Sequence, residues 1–370
     1  MQENKTAELL LGTANDEPVE AFIGFDGFID EIVHVVDHRS DINNFSKIKT
    51  IRDYSSRLMT GSGLSTNIEI VPIMRKLGGN GPNFAVPLQL FGMEIVYTGS
   101  VGKESFDPVF NRLSENMELI GLAEPGFSQC FEFDDGKIIV SRTECLNDVT
   151  PESLVSAVGD KRLLDLLCKS NLIAMNNWTM IPYMSDIWEM VLKNYIPKMR
   201  ERCDISKKII FVDMADPEKR TADDINRALK ILGEYTRAGF RTVLGLNKKE
   251  ACEIAEINGK KIADYSGYPL EDICRFIAGI VDLTCLLVHP VDRAAMIEGG
   301  KYTETPGPFC EKPLLTTGAG DNFNAGFVYG YIKGFDPVDC LRCGVGTSGF
   351  YVRNARSPKL TELAEFVKTF

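Results

Sequence analysis

The residues best suited to chemistry form one short run near the C-terminal end, Leu315-Thr316-Thr317-Gly318-Ala319-Gly320-Asp321. Gly318, Ala319 and Gly320 stand directly before a stretch of helical spacing that passes through Phe323 and Phe327. Backbone N–H groups at a helix N-terminus lack intrahelical partners and lie at the positive end of the dipole. Glycines on either side of Ala319 let an anion approach that backbone closely. Asp321 then falls in the first helical turn, beside the anion. Two tasks are open to a carboxylate there. It can cap the helix, or it can take the proton of an attacking hydroxyl next to a held phosphate. Two glycines, two threonines and an aspartate are more than a cap needs, and they tilt the reading toward chemistry on a phosphate.

Such a run must be carried by a scaffold, and the sequence indicates which. From about residue 160, short apolar runs at 171–175, 208–213, 241–246 and 283–288 alternate with amphipathic stretches at 184–202, 221–238, 248–257 and 270–281. This rhythm predicts a mostly parallel sheet with helices on both faces. Ligands in such sheets bind in the loops at the carboxyl ends of the strands. Asp213, Asn247 and His289 all fall at such ends. The first third reads differently. Val19 to Phe25 is a buried strand, 31–71 shows no clean helical period, and 127–143 is a hairpin turning at Asp134-Asp135-Gly136. These pieces predict extra strands outside the main sheet, forming a small lid. No linker or repeat divides the chain, so residues 1–370 are expected to form one domain.

Composition narrows the partners. The formal net charge is −11 and no basic block stands out, which argues against nucleic acid or an anionic membrane surface. No apolar run approaches the roughly 20 residues that span a bilayer, and the N-terminal stretch lacks the pattern of a signal peptide, so a cytoplasmic location is expected. The 10 cysteines read as reduced, mostly buried thiols. Cys340 and Cys343 form the one C-x-x-C, with no second pair to complete a zinc site, and are read as core packing. Neither a Walker-type phosphate loop nor a dinucleotide-binding G-x-G-x-x-G is present.

The 315–327 run resembles the carboxyl-terminal signature of the ribokinase-like (PfkB) carbohydrate kinases. Gly78-Gly79-Asn80-Gly81-Pro82-Asn83-Phe84-Ala85 is similar to the amino-terminal signature, followed by Leu90-Phe91-Gly92 and Gly99-Ser100-Val101-Gly102. The opening Gly24-Phe25-Asp26-Gly27-Phe28-Ile29-Asp30 and the Asn247-Lys248-Lys249-Glu250 motif fall in family order. The resemblance covers roughly residues 19–355. It implies a three-layer α/β/α fold with a β-lid drawn from about 31–71 and 127–143, and ATP-dependent phosphorylation of a hydroxyl on a sugar or sugar-like molecule.

Carried over, Gly318, Ala319 and Gly320 form the anion hole and Asp321 is the general base. Asp30, Gly79 and Asn83 contact substrate hydroxyls, with Asp26 competing for the role of Asp30 because the opening spacing is one residue long. Asn247, Thr317 and Gly344 serve the nucleotide, and Glu250 serves Mg²⁺, through water if need be. Asp213 joins the phosphate environment or holds a turn. Glu250 has a plainer reading as an exposed helix residue. His289 is read as a loop or nucleotide-packing residue ahead of a catalytic one. Leu315 replaces the usual aspartate, which weighs against a monovalent cation, and 288–294 lacks the glycines that usually line the base. Asn80 replaces the lysine of many phosphosugar kinases, which favours an unphosphorylated sugar, sugar acid or nucleoside. Lys137 or Arg142 on the lid keeps a phosphosugar open. A silent sugar- or nucleotide-sensing protein is the reading of a different class, and the lid edges make a homodimer conceivable.

Overall fold

Ile209-Ile210-Phe211-Val212-Asp213 is buried at every position, as a strand covered on both faces must be. Ile209 and Phe211 enter one apolar layer and Ile210 and Val212 the other, the period-two alternation of a pleated strand. The computed structural model describes residues 2–115 and 117–370. It places this strand, β10, in the middle of a nine-stranded sheet of order β14-β13-β12-β11-β10-β9-β1-β5-β6. The others are β1 Glu20–Gly24, β5 Glu94–Gly99, β6 Glu118–Gly121, β9 Leu172–Met175, β11 Arg241–Leu246, β12 Cys285–Val288, β13 Arg293–Glu298 and β14 Lys301–Pro306. Every pairing from β12 to β6 is parallel. The expected strands at 19–25, 171–175, 208–213, 241–246 and 283–288 are all in place as β1, β9, β10, β11 and β12. Helices cover both faces. On one of them Phe84, in the Asn80–Leu90 helix, stacks on Phe211 with ring centroids 4.8 Å apart.

The edge hairpin β13–β14 is antiparallel and was not anticipated. Its turn is Gly299-Gly300, with φ of +56° and +76°, the two-residue pattern that matches strand twist. Arg293 and Ala294, read as part of a loop, therefore begin a strand.

A second sheet of five strands stands apart: β2 Phe28–Arg39, β3 Phe45–Lys47, β4 Ile70–Gly78, β7 Gly126–Phe133 and β8 Gly136–Arg142. The expected bounds of 31–71 fall short at both ends. β2 begins at Phe28 because its first residues are paired on both sides, by β4 and β7. That removes the one-sided alternation which would have marked the strand. The segment also holds a helix, Ile51–Met59, capped by the Thr50 hydroxyl accepting from Asp53 N at 3.0 Å. Only Ile51 and Tyr54 anchor it to the small apolar cluster of this sheet, too few to write a helical period into the sequence.

Candidate active site

The Ala319–Ile332 helix begins where the sequence places it, with Gly318 at its N-cap and φ of +93°. A Cβ at Gly318 would lie 2.9 Å from Tyr351 Oη and 3.2 Å from Asn83 Cγ, so both conformation and space require glycine. Tyr351 Oη donates to the Thr317 carbonyl at 2.6 Å and fixes the approach to the turn. Asp321, in the first turn, is buried. Its carboxylate accepts a hydrogen bond from Asn80 Nδ2 at 3.0 Å. Burial, reinforced by the negative charge of Asp26, pushes its pKa up to about 8 against the opposing pull of Asn80 and Lys76.

Two clefts meet at this turn. The larger, about 370 Å³, is walled largely by apolar groups, among them Pro290, Val291, Pro313, Val345 and Val352, with Asn247 and His289 at its inner end. The smaller, about 230 Å³, lies between the main sheet and the second sheet. Asp30 and Ser128, Lys137 and Ser141 of the second sheet face Asn80, Asn83, Asn177 and Asp321 across it. Ala319 and Gly320 line the larger cleft, Gly318 and Asp321 the smaller, and Thr316 both.

The structure separates the two competing aspartates. Asp30, on β2, lines the smaller cleft. Burial raises its pKa, while Lys76, its cross-strand neighbour, the Ser128 hydroxyl and Lys137 hold it down. Asp26 is fully buried and does not line the cleft; its oxygens accept from Asn80 N at 2.8 Å, Gly81 N at 2.8 Å and Asn177 Nδ2 at 2.7 Å. It thus satisfies orphan donors at the start of the Asn80–Leu90 helix, and burial raises its pKa to about 6 in spite of them. Gly79, with φ of +100°, turns the chain into that helix and lines the cleft beside Asn83.

Asn247 and Glu250 form a reciprocal capping box: Glu250 N donates to Asn247 Oδ1 at 2.9 Å and Asn247 N to Glu250 Oε2 at 2.8 Å. Glu250 also accepts from Asp216 N at 2.9 Å. It is therefore buried, not the exposed residue of the plainer reading. Burial raises the pKa of Glu250. Asp213 is raised further by burial and by the charges of Glu250 and Asp321, and is tied to Ala215 N at 3.0 Å and Asn324 Nδ2 at 2.8 Å. Among the described residues no group of three or more His, Cys, Asp or Glu is arranged to hold a metal ion by itself.

Two expected nucleotide residues sit elsewhere. Thr317 lines the smaller cleft, where its hydroxyl meets Lys137. Gly344 packs against the Phe323 ring, 2.7 Å from where its Cβ would be. The helical period instead turns Val345, Ser348 and Gly349 to the larger cleft. His289 packs on Phe323 with centroids 4.6 Å apart, and burial lowers its pKa to about 4. Arg142 lies over the Phe127 ring rather than in either cleft. Cys340 and Cys343 are buried free thiols in the Pro337–Asn354 helix. Asn177, Ser128 and Ser141 were missed. Asn177 holds φ of +62°, a conformation an asparagine tolerates, but nothing in the run Asn176-Asn177-Trp178 announces it.

Solved structures share this architecture. Ribokinase from Thermotoga maritima superposes with a TM-score of 0.62 at 15% identity, covering 95% of this chain and 100% of that one. Arabidopsis thaliana ribokinase, solved with ribose and ATP, gives 0.63 at 15% identity, covering 95% and 99%. The fold and its paired clefts are thus those of the ribokinase-like proteins. The chain belongs to the prokaryotic ketohexokinase family, whose model matches residues 12–370, and it is a carbohydrate kinase. A ketohexokinase from Haloferax volcanii is 23% identical over 354 residues, spanning 94% of this chain and 90% of that protein. No helix among the described residues is long and apolar enough to cross a membrane.

Proposed function

We propose that this protein transfers the γ-phosphoryl group of ATP to a hydroxyl of an unphosphorylated ketohexose, with Asp321 as general base. The observation that carries the reading is the meeting of two unlike clefts at one helix N-terminus. The apolar larger cleft suits a nucleobase and the polar smaller one a polyol. Between them the Gly318–Gly320 backbone presents unpaired N–H groups to the phosphoryl in flight. Asp321 lines the sugar side, and its pKa of about 8 lets it accept a proton near neutral pH. Asp30, Asn83 and the Ser128–Ser141 hydroxyl pair, 2.9 Å apart, supply the directional bonds that a polyol requires. The second sheet, as the lid, walls this cleft from water. The family name of the Haloferax relative motivates the ketohexose.

The residues near the phosphate end fit Mg²⁺. Asp213, Glu250 and Asp321 are buried carboxylates whose raised pKa values mark an excess of negative charge. Asn247 and Glu250 would hold the ion through water, since the Glu250 oxygens already accept two backbone N–H groups. When bound, Mg²⁺ supplies charge neutralisation on the phosphates.

The test is ADP formation from Mg-ATP over ketohexoses, aldohexoses, nucleosides and ketohexose phosphates, with Asp321→Asn run in parallel. Ketohexose-dependent turnover that falls about 10²–10⁴-fold in the variant is expected. A nucleoside or phosphosugar as the preferred acceptor would overturn the substrate, and undiminished turnover in the variant would overturn the base.

A further inference from the structure

Lys137 is a cation without an anion. It stands on β8 of the second sheet and reaches across the smaller cleft to the main domain. There its ammonium donates to Thr316 Oγ1 at 3.2 Å and to Thr317 Oγ1, two neutral hydroxyls immediately before the Gly318 turn. Among the described residues no carboxylate stands within 4.0 Å of it. The charged groups that face it at longer range are Glu132, its partner across the hairpin, Asp30 on β2 and Lys76 on β4. Burial lowers its pKa, the cost of withdrawing an ammonium from water with only hydroxyls to meet it.

The position of this charge is informative. Thr316 borders both clefts, and the helix N-terminus that follows Thr317 is where they join. Positive charge at that junction helps most when negative charge is spread over the oxygens of a phosphoryl group between donor and acceptor. A lysine meant to bind sugar hydroxyls could sit anywhere along the cleft wall, whereas this one is tied to the anion-binding turn. Its partner threonines also fix its direction, so little reorganisation is needed when the phosphoryl arrives.

Building on the phosphoryl-transfer reading, we propose that Lys137 is a catalytic residue that pairs with the transferring phosphoryl group. The second sheet thereby delivers a charge as well as a cover, and the cation is in place only when that sheet stands over the cleft.

The test compares wild type, Lys137→Gln and Lys137→Arg. Gln keeps a donor for the threonines without the charge, and Arg keeps the charge. Ketohexose-dependent kcat is expected to fall ~10²-fold or more in Lys137→Gln, with KM for the sugar within ~3-fold and partial recovery in Lys137→Arg. As a second readout, binding of Mg-ADP with aluminium fluoride in the presence of sugar should weaken at least ~10-fold in Lys137→Gln, while Mg-ADP alone binds as before. A raised sugar KM at unchanged kcat would make Lys137 a sugar-binding residue and overturn the proposal. Equal kcat and equal aluminium fluoride affinity in all three proteins would overturn it too. A wild type without sugar-dependent turnover would strike the underlying phosphoryl-transfer reading instead, so the two failures are distinguishable. Should Lys137→Gln not fold, Lys137→Met measured with the same fluoride complex decides the matter.

Discussion

Asn80 Nδ2 donates to Asp321 Oδ1 across 3.0 Å, so one hydrogen bond ties two residues 241 positions apart. Asn80 begins the Asn80–Leu90 helix, whose backbone N–H groups at Asn80 and Gly81 meanwhile hold Asp26. The two glycine-rich segments are therefore one construction: the first orients the carboxylate that the second supplies. A donor to an ionised carboxylate favours ionisation, and the Asn80 bond pulls the Asp321 pKa down. In Asn80→Ala that pull is gone, and a smaller fraction of Asp321 is ionised at neutral pH. The expected result is a loss of about 10-fold in kcat/KM at about pH 7 that narrows toward about pH 9. A pH profile of the variant checks this. A loss of the same size at every pH would mean that Asn80 serves sugar binding alone.

The burial of Asp321 has a consequence for the ligand-free protein. Its folded pKa of about 8 lies above the unfolded value, so the native state keeps the proton longer. Its contribution to stability is complete below about pH 3.9 and is lost as pH rises through about 8. Asp26 acts in the same sense with an upper edge near pH 6, the pKa being about 6. Asp321→Asn is neutral throughout. Its Tm should therefore exceed that of wild type by a margin that grows between about pH 5 and about pH 9. Thermal melts at several pH values test it, and a margin independent of pH would show that burial does not hold the carboxyl protonated.

Why some of this could be read from sequence and some could not comes down to the range of the interactions. The β9 to β12 strands announced themselves because burial on both faces demands short apolar runs. The Gly318 turn did so because φ of +93° and the crowding by Tyr351 leave no other residue. Asp26 and Asp30 were indistinguishable as letters. What separates them is pairing: Asp26 meets the start of a helix 54 residues on, and Asp30 lies on a strand whose neighbour brings Lys76. Thr317 and Gly344 went to the wrong wall because a spacing cannot say which side of a turn or helix faces a cleft. Lys137 was visible only as a basic residue on a hairpin, since its contacts lie 179 and 180 positions away.

Gly318 allows crowding to be separated from backbone strain. Gly334 also has positive φ, +73°, but a Cβ there would meet nothing within 4 Å. Gly334→Ala is thus expected to show strain alone, about 1 kcal/mol. Gly318→Ala adds contact with Tyr351 Oη and Asn83 at 2.9 and 3.2 Å, and should cost a further ~1–2 kcal/mol while abolishing turnover. Urea denaturation of both variants beside the kinase assay makes the comparison. Equal stability losses would show that the Tyr351 and Asn83 contacts yield freely.

Glu250 poses the sharpest choice between scaffold and chemistry, because its capping box is complete without any metal. Its oxygens accept from Asn247 N at 2.8 Å and Asp216 N at 2.9 Å. In Glu250→Gln the amide oxygen can keep one of these bonds and its NH₂ cannot accept the other. Stability should then drop by about 0.5–1.5 kcal/mol whatever Glu250 does in catalysis. The charge is the separate variable. A carboxylate that holds Mg²⁺ through water raises the local affinity for the ion, so the Mg²⁺ concentration giving half-maximal turnover should rise about 10-fold in the variant. Titrating Mg²⁺ at fixed ATP, with chelation as the zero point, reads this directly. A melting temperature that falls while the Mg²⁺ titration stays put would leave Glu250 as a helix cap, and would pass the ion to Asp213 and Asn247.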